Sequence, residues 1–125
     1  MNRSTLNWLL EGDSTIRWQA LRDLTDASPE AIDGERTRIP REGIAAQILG
    51  AQQSDGAWRS AGSPTWLTTL FTLQLLRATG IDPAEPAVGS AIARLESRLR
   101  WDDAPGCWDL RPAAPGGHPY FEGEE

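Results

Sequence analysis

At 125 residues the chain is at most one domain of ordinary size, long enough to bury roughly two-thirds of the surface its unfolded form exposes. Its net charge is −6, and all 12 basic residues are arginines scattered along the chain. No general field therefore attracts phosphates, which argues against nucleic acid and anionic membranes as partners.

Cys107 is the single cysteine, which excludes an internal disulfide framework. No apolar stretch reaches the length of a membrane span or of a secretory leader, so a cytoplasmic protein is the expectation. Six tryptophans, Trp8, Trp18, Trp58, Trp66, Trp101 and Trp108, are read first as anchors between packed elements and second as lining for a hydrophobic cavity.

Hydrophobic spacing predicts an all-α chain. Leu6, Leu9 and Leu10 mark a short first helix. Asp13 is a good N-cap for a second, in which Ile16, Ala20 and Leu24 step by four with Leu21 beside them. Together, residues 1–27 form an N-terminal helical pair. Residues 28–40 carry Pro29, Gly34 and Pro40 and read as a linker with one short helix. A third helix is expected from about Arg41 to Gln52, with Ile44, Ile48 and Ala51 on one face.

The next helix differs in kind. From Ser60 to Leu76 there is no charge, and Trp66, Leu67, Leu70, Phe71, Leu73, Leu75 and Leu76 cover nearly the whole circumference. Such a helix is expected to be buried on all sides. Gly80 supplies its stop, and Pro83 follows. Residues 86–101 read as amphipathic, with Val88, Ile92, Leu95 and Leu99 inward and Arg94, Glu96, Arg98 and Arg100 outward. Part-exposed, buried and part-exposed helices in succession are what a two-layer helical array requires. Residues 109–125 form an irregular tail rich in proline and glycine, read as a functional loop, a disordered end or an element awaiting a partner.

Two turns repeat. Gly56-Ala57-Trp58 and Gly106-Cys107-Trp108 lie fifty residues apart, each after an acidic turn and a helix of similar length. A fixed period of this size suggests a repeated helical hairpin. In the first copy, Ser54-Asp55-Gly56 reads as a tight turn in which Gly56 takes positive φ and Asp55 bonds backbone amides. The Gln52 amide can bridge the last carbonyls of its helix to the next element, and Trp58 can close the corner over it. Gln52, Asp55, Gly56 and Trp58, with Gly106 and Trp108, are therefore read as a structural clasp. The second copy is degenerate, with Trp101 and Asp102 where the glutamine should stand.

Ile48-x3-Gln52-x3-Gly56-x-Trp58 resembles the QW motif of squalene and oxidosqualene cyclases. It is equally similar to the glutamine, Asp-Gly and aromatic repeats of protein prenyltransferase β-subunits. Residues 41–108 look like one unit of that superfamily, and the opening WLLEGDSTIRWQALRDLTD looks like that of bacterial squalene-cyclase-like proteins. The resemblance implies helical hairpin repeats of an α/α toroid around a hydrophobic cavity, of which this chain would form only a partial barrel. It also implies that the clasp is structural, and that inner-helix N-termini face the cavity mouth. Thr65, Trp66 and Thr69, with Phe71 deeper, are then the residues that would line a cavity for an apolar, isoprenoid-like small molecule. Missing repeats or self-association would complete the ring.

The family's chemistry is not recognisable. Its cyclases use a D-x-D-D acid set; Asp102-Asp103 and Asp109 do not make it and read as solvated turn residues. Its prenyltransferases hold zinc with aspartate, cysteine and histidine. Cys107, Asp109 and His118 could form an open three-ligand site in principle, but their order and spacing do not match, and they read as a semi-buried thiol and a surface imidazole. No metal, cofactor or catalytic residue is assigned. Two other readings stand beside this one. Asp13-x-x-Ile16-Arg17-x-x-Ala20-x-x-x-Leu24 is similar to the second helix of a HEAT repeat, which implies a protein-interaction module. Alternatively, the catalytic residues of an enzyme lie beyond residue 125.

Overall fold

A computed structural model of the chain describes residues 2–99, and its regular elements are all α-helices. They are α1 (Arg3–Leu10), α2 (Ser14–Leu24), α3 (Pro29–Arg36), α4 (Gly43–Gly50), α5 (Thr65–Thr79) and α6 (Pro86–Arg98). The chain forms two compact units. Of the described residues, one comprises those up to Ala51 with Gln74–Glu85; the other comprises Gln52–Leu73 with residues 86–99. α5 begins in the second unit and ends in the first.

Local chemistry explains where these helices start. The Asn2 side chain accepts from the Ser4 amide at 3.0 Å, and the Ser28 hydroxyl accepts from Ala31 at 3.2 Å just ahead of Pro29. Each satisfies an amide that a first helical turn leaves without a partner. Asp13 does this for two helices. Its Oδ1 accepts from the Thr15 amide of α2 at 2.9 Å, and its Oδ2 from the Ile44 amide of α4 at 2.8 Å. Glu42, the residue at the cap position of α4, makes no side-chain cap of its own.

The second contact requires a glycine. Gly43 has φ +67°, and a Cβ there would stand 1.8 Å from Asp13 Oδ2. Burial pushes the Asp13 carboxyl upward, but the hydrogen bonds from Thr15, Ile44 and Ser14 outweigh it and hold the group below its ordinary value. Asp13→Ala is expected to destabilise the chain by about 1–2 kcal/mol. Hydrogen exchange should quicken at the Thr15 and Ile44 amides together, since one side chain serves both.

In the first unit α2 is the central element, packing against α1, α3 and α4. Its buried residues are Ser14, Thr15, Trp18 and Ala20. The expected stripe is thus corrected: Ile16 and Leu24 are 43% and 41% exposed. The cause is Trp18, the widest side chain on the helix. Its indole Nε1 donates to the Thr79 carbonyl at 2.8 Å, and the guanidinium groups of Arg22 and Arg36 lie 4.6 and 5.0 Å from its ring centroid. Turning Trp18 inward carries Ser14 and Thr15 with it and turns Ile16 out.

The same contacts finish α5, whose last carbonyls have no partner within the helix. Thr79 receives the indole, and Gly80, at φ +82°, receives Arg36 Nε and Nη2 at 3.2 and 3.1 Å. Arg17 ties α2 to two further helices: Nε meets Glu35 at 2.9 Å, Nη2 meets Glu42, and Nη1 donates to the Gly12 carbonyl at 2.8 Å. Ile39, Ala45, Leu76 and Ile81 fill the apolar interior of this unit.

The second unit buries Ala57, Trp58, Thr69, Val88 and Ala91. Two expectations change here. α6 turns Val88 and Ala91 inward, while Ile92 and Leu99 are 42% and 46% exposed. α5 is not covered all round, because Phe71 and Leu75 are 59% and 51% exposed. An apolar circumference states how much surface is available for burial; neighbours decide how much is buried. Among the described residues no helix is long and apolar enough to cross a membrane.

Candidate functional site

The turn that follows α4 is densely hydrogen-bonded. Gln53 N donates to the Ala57 carbonyl at 2.8 Å and Gly56 N to the Gln53 carbonyl at 2.9 Å, which folds residues 53–57 back on themselves. Gly56 has φ +87°, a conformation that a side chain makes costly. The expected positive φ is therefore present, and a second constraint joins it. A Cβ on Gly56 would lie 2.8 Å from the Ser90 carbonyl oxygen of α6.

Gln52 spans this corner. Its Nε2 donates to the Gly56 carbonyl at 2.9 Å and to the Ala87 carbonyl, in the first turn of α6, at 2.8 Å. This pair of acceptors differs from the one expected, the last carbonyls of the preceding helix. Trp58 is 5% exposed, and its backbone is fixed by one hydroxyl. Thr69 Oγ1 accepts from Trp58 N at 3.2 Å and donates to Trp58 O at 3.2 Å. The N–H and C=O of this buried residue thus both meet the Thr69 hydroxyl.

Asp55 gathers the charges. Its Oδ2 meets Arg59 Nη2 at 2.6 Å and Arg94 Nη2 at 3.5 Å, and its Oδ1 accepts from Ala57 N at 3.1 Å and Arg59 Nη1 at 3.2 Å. Arg94, expected outward, is instead a part-buried side chain only 11% exposed, because a carboxylate waits for it across the turn. The Arg59 hydrogen bond, helped by the Ala57 amide and the two positive charges, holds the Asp55 carboxyl far below the usual carboxylate range.

A carboxyl whose folded pKa is depressed contributes stability that is complete above the ordinary carboxylate range and is lost as pH falls through it. The unfolding midpoint is thus expected to decline below about pH 5 and to continue falling as the solution is acidified further. Asp55→Asn should flatten that decline in a series of urea titrations across pH. The exposed rim of the pair limits the effect, since Asp55 is 43% exposed.

The four cavity candidates on α5 do not share a face. Thr65 and Thr69 are four residues apart, on one side of the helix. Thr69 is 1% exposed and committed to Trp58. Phe71, expected deeper, is open: it follows Thr69 by two positions, about 200° around the helix, and so faces out when Thr69 faces in. Trp66 and Thr65 are half-buried at the start of α5.

Clefts of the first unit include two of different character. One, of about 320 Å³, is lined by Trp8, Leu9, Glu11, Gly12 and Ile16, with Trp8 69% exposed. The other, of about 680 Å³, is charged and includes Asp33, Arg36, Arg41, Asp82 and Glu85. Neither includes an α5 candidate. Among the described residues no group of histidine, cysteine, aspartate or glutamate side chains comes together to hold a metal ion.

The second copy of the clasp, Gly106 and Trp108, lies outside the described residues. So do Asp102, Asp103, Cys107, Asp109 and His118. Sequence reasoning missed Thr69 and Arg94 as parts of the turn, and Trp18, Arg36 and Arg17 as ties in the first unit. Nothing local marks a hydroxyl or guanidinium for a partner far along the chain. An arginine on a part-apolar helix near an acidic turn is the only signal that could have pointed to Arg94. Comparison with protein-family models, curated proteins and solved structures finds no match to this chain.

Proposed function

We propose that this chain is a helical-repeat scaffold of the terpenoid-cyclase and prenyltransferase type, a partial α/α toroid that binds an apolar, isoprenoid-like molecule. In this reading the described residues hold helices in position and perform no chemistry. One observation supports it most: a single glutamine amide joins the Gly56 carbonyl of the Asp-Gly turn to the Ala87 carbonyl of α6. That is a corner clasp built from the residues by which the chain resembles the QW repeats. The open apolar residues of α5 and α6 suit a protein that completes its core with further repeats or another copy.

The ligand half of the proposal is tested by intrinsic tryptophan fluorescence of the intact chain titrated with isoprenoid diphosphates and long prenols. A saturable blue shift supports it. An emission spectrum that none of these compounds changes removes the ligand and leaves a scaffold.

A HEAT-like interaction module is the second reading, favoured by Asp13 and Arg17. These two residues of the HEAT-like segment connect α2 to α3 and α4. A crystal structure of the intact chain decides between the two: inner and outer helices curving around a cavity support the toroid, and an open stack supports the module.

A further inference from the structure

Two aspartate–glycine pairs lie among the described residues, Asp33-Gly34 in α3 and Asp55-Gly56 in the clasp turn. Such a pair is chemically unstable because glycine offers no side chain to hinder attack by its own amide nitrogen. The nitrogen adds to the aspartate Cγ, one water leaves, and a five-membered succinimide closes. Water then adds back at the aspartate main-chain carbonyl carbon and breaks its bond to the glycine nitrogen. The product is isoaspartate, with the chain running through Cβ and Cγ. Its mass equals that of the starting chain, and water is the only reagent. The reaction needs an amide free to approach and a carboxyl whose oxygens are not held as a carboxylate.

The two pairs differ at the carboxyl, and in what holds the amide in place. At Asp55 every carboxylate oxygen is engaged: Oδ2 by Arg59 at 2.6 Å and Arg94 at 3.5 Å, Oδ1 by the Ala57 amide at 3.1 Å. The attacking nitrogen is occupied as well, since Gly56 N donates to the Gln53 carbonyl at 2.9 Å.

Asp33 is protected only by its helix. Its side chain is exposed and takes part in no ion pair among the described residues. α3 is eight residues long and buries none of them, and its interior glycine costs about 1 kcal/mol relative to alanine. The polar ties of α3, Glu35 to Arg17 and Arg36 to Gly80, both lie after Gly34. α3 packs against α2, but Asp33 and Gly34 are themselves exposed, so a local opening at this pair leaves those two polar ties in place.

We infer that Asp33-Gly34 is the chain's site of spontaneous isoaspartate formation, and that Arg59 and Arg94 guard Asp55-Gly56 against the same reaction. Isomerisation at Asp33 lengthens the backbone immediately before Glu35 and Arg36, so it disturbs the ties of α3 to the rest of its unit.

The test is peptide mapping of the intact chain after prolonged incubation at neutral pH and physiological temperature, with isoaspartate located by mass-spectrometric fragmentation. The wild-type chain should carry a severalfold excess at Asp33 over Asp55, and the urea-unfolded chain should react at both with similar speed. Arg59→Gln, a change at an exposed side chain, should raise the Asp55 product severalfold while leaving Asp33 unchanged. Equal accumulation at the two sites in the folded wild type would overturn the inference. So would an Arg59→Gln chain in which Asp55 reacts no faster, or a folded wild type in which Asp33 stays intact.

Discussion

Trp18→Ala is expected to lower the unfolding free energy by about 3–5 kcal/mol, the range for deleting a large buried aromatic. Small domains have only about 5–15 kcal/mol in total, so this variant should unfold at far lower urea than the wild type. The loss combines three effects. A cavity opens in the first unit, where Trp18 is 8% exposed. Two guanidinium groups lose the ring they stack on. The Thr79 carbonyl at the end of α5 loses its donor.

Trp18→Phe separates these effects. It keeps most of the volume and an aromatic face but has no N–H, so it should cost about 1–3 kcal/mol, the penalty for leaving one buried acceptor unpaired. If the phenylalanine variant is as stable as the wild type, the hydrogen bond to Thr79 has no net weight. Gly80 belongs to the same arrangement. A Cβ there would stand 2.1 Å from Trp18 Cζ2, so the indole can reach the helix end only past a residue without a side chain.

Gly56→Ala is the second large effect. Alanine at φ +87° carries strain of about 1–3 kcal/mol. Its Cβ would also meet the Ser90 carbonyl oxygen and carbon at 2.8 and 3.0 Å. These are backbone atoms of α6 and cannot swing aside as a side-chain end does. α6 must move away, which stretches the Gln52 bond to Ala87.

Gly62→Ala is the matching control. Gly62 has φ +81°, yet nothing lies within 4 Å of a Cβ placed there. Both variants share the conformational cost, and only Gly56→Ala has the clash. Urea denaturation of the pair should therefore show a clearly larger loss at Gly56. Equal losses would mean that the approach of the turn to α6 contributes nothing beyond backbone strain.

The clasp was legible as far as its chemistry is local. Asp55 bonding the amide two residues on, and Gly56 in the left-handed region, follow from the turn sequence itself. The donor role of Gln52 could be expected too, but its second acceptor, Ala87, is 35 residues away. The threonine that fixes Trp58 is eleven residues away on another element. Phe71 was misplaced for a related reason. On a helix apolar all round, composition does not say which side faces in; Thr69, a polar residue, takes the buried position because the Trp58 backbone needs its hydroxyl.

By itself the sequence determined that the described residues are helical, where α2 begins, where α5 stops and where the turn at Asp55-Gly56 bends. These depend on propensity, caps and glycine conformation, all of which act within a few residues. Only the tertiary structure decided which faces of α2, α5 and α6 are buried, that Arg94 turns inward to Asp55, and that Trp18 closes the end of α5. The Trp18–Thr79 bond joins residues 61 positions apart. A helical period restricts which residues can share a face, whereas the choice among faces is made by whichever neighbours bury the widest side chain and satisfy the last unpaired backbone groups.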